Sequence, residues 1–329
     1  MGRPARASVA PLRVARAAPP PPAAEPMGDP VDDPAHDPAI ADAYRLAEQA
    51  VRLAVPILIH GETGTGKEVL ARHLHNASGR RGAFVAVNCG ALPDELVEAE
   101  LFGYVGGAFT GARRDGSEGL IASAHGGTLL LDELAELPLH LQAALLRFLD
   151  DRQVRPVGGT RARTVDVQLL AATHTDLDAA VAEGRFRADL LYRLNTVAVR
   201  LPPLRARRDF AAGARRVLAE VDRAAALDDG AVVALARHAW PGNFRELRAV
   251  LTRALLLAGP GSRLQAADVQ RVLPQMPVVA ASSLQQAAGD TVRREFERCG
   301  GSVSRTARVL GISRTTVYRY LREPSAIGR

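Results

Sequence analysis

Short apolar runs recur along this chain with longer stretches of helical period between them. Val55–His60, Ala83–Val87, Thr128–Leu131, Val165–Ala172 and Thr196–Leu201 each read as a buried strand. Helices are predicted at about 39–53 and over Lys67–Asn76, and the pattern turns wholly helical from Ala206 through Ala258. Strands alternating with helices predict an α/β fold with a parallel sheet. A linker with Gly259-Pro260-Gly261, Pro274 and Pro277 follows, and then a second helical unit. In that unit Val292, Phe296 and Cys299 share one face. Ser302 is set to cap the next helix, with Val303, Ala307 and Leu310 inward. After Gly311, Ser313 caps a third, with Val317 and Leu321 inward.

Composition sharpens this division. Residues 1–38 are rich in Ala, Pro and Arg and include Pro19-Pro20-Pro21-Pro22, so they are expected to be disordered and too short for a regulatory domain. The net charge is +6, and from Leu284 to Arg329 nine arginines face four acids, so the tail carries most of the excess. A small basic unit at one end suggests nucleic acid. Cys89 and Cys299 lack metal-type spacing and read as reduced thiols. No apolar run is long enough to span a bilayer, and no secretory signal is evident. A cytoplasmic location is the expectation.

Of the 42 lysines and arginines only Lys67 is a lysine. It ends Gly61-Glu62-Thr63-Gly64-Thr65-Gly66-Lys67, which has P-loop spacing between a strand and a helix. A slim ammonium fits between phosphates where a guanidinium fork does not. Glu68 occupies the place where a P-loop usually has Ser or Thr for magnesium. The strand Thr128-Leu129-Leu130-Leu131 delivers Asp132 and Glu133 to the carboxyl edge of the sheet. Asp132 is the candidate magnesium (Mg2+) ligand and Glu133 the candidate base for an attacking water.

These motifs, in this order, resemble the AAA+ activators of sigma-54 RNA polymerase, the bacterial enhancer-binding proteins. The similarity runs from about Ala39 to Gln275 and continues in a Fis-type helix-turn-helix at about 284–323. Glu68 matches that family. The resemblance implies an AAA+ P-loop ATPase with a parallel sheet and helical lid, plus a C-terminal all-α helix-turn-helix domain. It implies segments of 1–38 (disordered), 39–205 (ATPase), 206–276 (lid) and 277–329 (linker and DNA-binding domain).

The same resemblance assigns roles. Asn88 would hold the catalytic glutamate inactive, a turn residue being the plainer reading. His174, after Ala171-Ala172-Thr173, would contact phosphate or water at sensor I. Arg187 and Arg193 would act as fingers on a neighbour's nucleotide. Arg245, in Trp240-Pro241-Gly242-Asn243-Phe244-Arg245-Glu246-Leu247, would be the sensor II arginine; there Asn243 is expected to N-cap the lid helix and Glu246 to complete a capping box. Gly107-Ala108-Phe109-Thr110-Gly111-Ala112 resembles the loop that engages sigma-54. Its small residues offer Phe109 little to pack on; folding back onto the core is the other reading. Arg314, Thr315, Tyr318, Arg319 and Arg322 would form the outward face of a DNA recognition helix.

Two departures from the family stand out. Val105-Gly106 replaces a charged pair, and 206–217 lacks the usual acidic continuation, which puts the lid hinge in question. The whole implies an ATP- and Mg2+-dependent activator that binds upstream double-stranded DNA and assembles from dimers into a hexameric ring. With only a short segment before the ATPase, control is expected from a separate protein, from expression level, or not at all. The alternatives are a remodeller of another client, or a DNA-binding repressor with a vestigial nucleotide site.

Overall fold

The computed structural model describes residues 37–91, 94–109 and 112–273, and, farther along, 295–296, 298–299 and 301–310. Chain contacts divide the protein into Met1–Val272 and Leu273–Arg329.

In the first unit β1 (Ile57–His60), β2 (Phe84–Asn88), β3 (Thr128–Asp132), β6 (Gln168–Thr173) and β7 (Val197–Arg200) form one parallel sheet in the order β2-β3-β6-β1-β7. All five expected strands are present, four shifted or trimmed at their ends and β3 extended to Asp132. The short β4 (Gln153–Val154) and β5 (Arg163–Thr164) make an antiparallel hairpin beside it.

Alternation along the strands feeds two cores. Leu58, Leu129, Leu131, Leu169 and Ala171 face one side. There they meet α3 (Asp94–Phe102), α5 (Leu139–Asp151), α6 (Leu177–Ala182) and α7 (Ala188–Leu194). Ile57, Ile59, Leu130, Leu170 and Ala172 face the other, under α1 (Pro38–Arg52) and α2 (Lys67–Ala77). The central strands β1, β3 and β6 are buried on both faces and so are continuously apolar, which is why they were legible as runs. The short α4 (Leu120–Ser123) completes this part.

The helical stretch from Ala206 resolves into α8 (Phe210–Val221), α9 (Asp229–Ala236), α10 (Asn243–Ala258) and α11 (Ala266–Val272). It also holds a two-stranded parallel pair that the helical pattern does not show, β8 (Ala226–Leu227) with β9 (Arg263–Leu264). Two-residue strands are too short to show a period. The chain enters this part through a buried ion cluster. Arg207 donates to both carboxylate oxygens of Asp209 at 2.8 and 2.7 Å, with both side chains 1% exposed, and Arg216 lies 3.5 Å from Asp209. Asp37 caps α1 through Ala39 N and also accepts from Arg208 N at 2.9 Å. Asp209 thus supplies a buried acid at the entry to the lid, within the 206–217 stretch.

In the second unit α12 (Val303–Leu310) is described, with Ser302 Oγ accepting from Arg305 N, as a cap at that position requires. The recognition-helix residues Arg314, Thr315, Tyr318, Arg319 and Arg322 lie outside the described residues. Among the described residues no helix is long and apolar enough to cross a membrane.

Candidate nucleotide site

The loop from Gly61 to Gly66 joins β1 to α2. Gly64 and Gly66 take φ of +80° and +103°, a region open to glycine. A Cβ on Gly64 would sit 2.4 Å from the Gly242 carbonyl oxygen. That contact fixes how closely the α10 entry approaches the loop. Lys67, buried, donates from Nζ to the carbonyls of Gly61 (3.0 Å) and Glu62 (3.4 Å). The opening of α2 adds a positive dipole end to the same place.

A cavity of about 450 Å³ lies over this loop. Lys67, Glu68, Asn88, Asp132, Glu133 and Arg245 all line it, so residues far apart in sequence share one wall. Val217, Phe244 and Arg248 close it from the lid side; no local motif marked Val217 or Arg248. Burial raises the Asp132 carboxyl above its ordinary value, aided by the Glu133 and Glu68 charges; the Glu133 amide and the Lys67 charge partly offset this. An acid so placed gains from a cation. Cys89, beneath, is pushed up to about 12 by burial and by the Asp132 and Glu133 charges, which makes it inert.

Glu133 has φ +51°, a left-handed conformation that costs a non-glycine residue about 1–3 kcal/mol. Its Oε2 lies 2.6 Å from His174 Nδ1. Asn88 Oδ1 instead accepts from Gly90 N at 2.9 Å. Asn88 Oδ1 thus closes a local turn, the plainer of the two readings, while the hydrogen bond to Glu133 Oε2 comes from His174, on the side of β6. His174 lines not the nucleotide cavity but an adjoining one of about 350 Å³ with His60, Asp176 and Arg200.

The expected cap of α10 is corrected. Gly242 is the N-cap, and Glu246 Oε2 accepts from Gly242 N at 2.9 Å, so only the glutamate half of the box forms. Asn243, fully buried at φ +51°, reaches back to the P-loop. Its Nδ2 donates to Thr63 O (3.0 Å) and Glu62 Oε2 (3.2 Å), and its Oδ1 accepts from Leu204 N (2.7 Å). Arg205 forks onto the same Glu62 at 2.8 and 2.5 Å. These hydrogen bonds, Arg205's first, hold the Glu62 carboxyl below its usual range.

Arg187 and Arg193 are not among the residues lining the nucleotide cavity. Arg187, at the N-cap of α7, pairs with Asp189; Arg193 lies 3.3 Å from Asp150. Both are about half exposed, and Tyr192 between them is 80% exposed. Phe109 is 36% exposed and meets Tyr104 edge-on at 5.0 Å between ring centroids. It thus rests on the base of its own loop with its other side open. Ala112 N returns to Phe109 O. Thr110 and Gly111 lie outside the described residues.

Residues 34–200 match the sigma-54 interaction domain family. The chain belongs to the sigma-54 interaction domain family. In this family member residues 211–285 match the AAA+ ATPase lid domain, and 296–323 the Fis family of bacterial regulatory proteins. It is 44% identical to the acetoin catabolism regulatory protein of Cupriavidus necator, over 83% of this chain and 44% of that one. It is 41% identical to the transcriptional regulatory protein FlbD of Caulobacter vibrioides, over 86% and 68%. The chain spans about half the length of several relatives it matches. Among solved structures it is similar to NtrX from Brucella abortus in complex with ATP, at a TM-score of 0.62 and 32% identity, covering 86% of this chain and 67% of that one. The AAA+ fold is thereby established.

Proposed function

We propose that this protein is a cytoplasmic ATPase that activates transcription by remodelling sigma-54 RNA polymerase from an upstream DNA site. The observation that carries the reading is the shared cavity wall of Lys67, Asp132, Glu133 and Arg245. The NtrX relative, solved with ATP, supports a triphosphate as its occupant.

Chemically, Lys67 and the amides at the head of α2 neutralise the phosphate oxygens. Arg245 adds charge from the lid. The Glu133 carboxylate takes a proton from water as the oxygen attacks the γ-phosphorus, and the bridging bond to the β-phosphate breaks, releasing ADP. Asp132 would hold Mg2+, which when bound supplies Lewis-acid neutralisation of the phosphates. Arg187 and Arg193, exposed and away from their own cavity, suit a neighbour's nucleotide in a ring, a hexamer by family resemblance. The Gly107–Ala112 loop, with Phe109 half free, suits a moving contact on sigma-54. The basic tail suits double-stranded DNA.

Two variants test the reading. Lys67→Ala should abolish ATP turnover and leave DNA affinity unchanged; equal turnover would point to a vestigial site. Thr110→Ala should keep turnover and lose promoter activation; full activation would assign the protein another client.

A further inference from the structure

We propose that His174 is the resting restraint on Glu133, holding the carboxylate toward β6 and so limiting basal ATP turnover. The inference rests on the reading of Glu133 as the base. In the sheet order, β3 lies between β2, which ends in Asn88, and β6, which leads into His174. Glu133 therefore has a polar partner available on either flank. Asn88 sits opposite Asp132 in register, and its Oδ1, an acceptor like the carboxylate itself, takes the Gly90 amide. His174 Nδ1 is the one engaged, at 2.6 Å from Oε2. A carboxylate only accepts, so Nδ1 carries the proton, and one basic oxygen of Glu133 is occupied.

The two residues belong to different cavities. Glu133 lines the nucleotide cavity, whereas His174 lines the adjoining one. The bond thus holds Oε2 at a residue that does not line the nucleotide cavity. The backbone that presents His174 is itself fixed. Thr173, fully buried, accepts from Thr175 N through its hydroxyl oxygen and from Gly61 N through its carbonyl. Gly61 opens the P-loop, so the histidine's turn is tied to the loop that would carry the triphosphate. His174 is a positioning residue that acts through Glu133.

The full-length chain tests this in two ways. In steady-state ATP turnover, His174→Ala should raise basal kcat roughly threefold or more with KM changed by less than about twofold. His174→Asn, which keeps a nitrogen donor near the Nδ1 position, should remain close to the parent. A kcat for His174→Ala at or below the parent value, or an Asn variant that behaves like Ala, would overturn the proposal. Thermal melting without nucleotide gives an arm independent of turnover. His174→Ala and Glu133→Ala should each shift Tm, and the double variant should shift it by less than their sum, since the pair can be lost only once. Strict additivity would overturn the pairing even in a protein that cleaves no ATP. Absence of turnover in the parent with non-additive melting would retain the pairing and overturn the ATPase reading instead.

Discussion

Asn243 Nδ2 meets the Thr63 carbonyl at 3.0 Å, so the first residue of the lid helix is bonded directly to the phosphate loop. The same side chain accepts from Leu204 N, which ties the strand-to-lid connection into the joint. Lid and loop are thus linked through one fully buried side chain.

Removing that amide strands several buried groups at once. Asn243→Ala is expected to destabilise the protein by about 2–4 kcal/mol, since each unsatisfied buried group costs about 1–3 kcal/mol. Urea unfolding measures this. Calorimetric ATP affinity should also fall at least about tenfold, or 1.4 kcal/mol. Unchanged affinity would mean that the joint does not shape the site.

Lys67→Arg tests the fit around the ammonium. Lys67 is only 6% exposed and packs its Nζ against two loop carbonyls. A guanidinium is too wide for that slot. ATP turnover is expected to be lost as fully as in Lys67→Ala.

Asp132→Asn should separate stability from activity. Burial raises the folded-state pKa of Asp132 above the ordinary value of 3.8. The folded state then binds its proton more tightly than the unfolded, and stability falls as pH rises through that window. At neutral pH the charge is a net cost to the nucleotide-free protein. The neutral amide should therefore raise Tm without nucleotide, while Mg2+-dependent hydrolysis is lost.

Arg207→Ala should be among the most damaging changes outside the site. Burial raises Asp209, but hydrogen bonds and charge from Arg207, with the Arg216 charge, more than offset it, leaving its pKa depressed. Its contribution is present above the ordinary carboxyl range and is lost as pH falls through the depressed value. Truncating Arg207 leaves an ill-compensated buried charge, at about 3–5 kcal/mol. A denaturant titration at neutral pH should show the loss, and at acid pH a smaller one.

The fold was legible where physics acts locally. Continuous apolar runs marked the central strands because both of their faces are covered, and the P-loop was legible from glycines that need positive φ. Asp132 followed from a strand ending in acids. Asn243 misled because a capping box describes one helix end by itself, whereas the residue bonds to a loop 180 positions away. Likewise Glu133 and His174, 41 positions apart, meet only because β3 and β6 are neighbours. Val217 and Arg248 joined the cavity through the packing of α8 and α10, which no local pattern encodes.

The central claim is that ATP cleavage in the Lys67–Glu133 cavity drives the Phe109 loop against sigma-54. Permanganate reactivity of a sigma-54 promoter bound by its polymerase measures it directly. The account predicts strand opening with ATP, none with a non-hydrolysable analogue, and none for Phe109→Ala although that variant still hydrolyses ATP. Opening that is independent of hydrolysis, or a Phe109→Ala protein that opens the promoter as well as the parent, would contradict it.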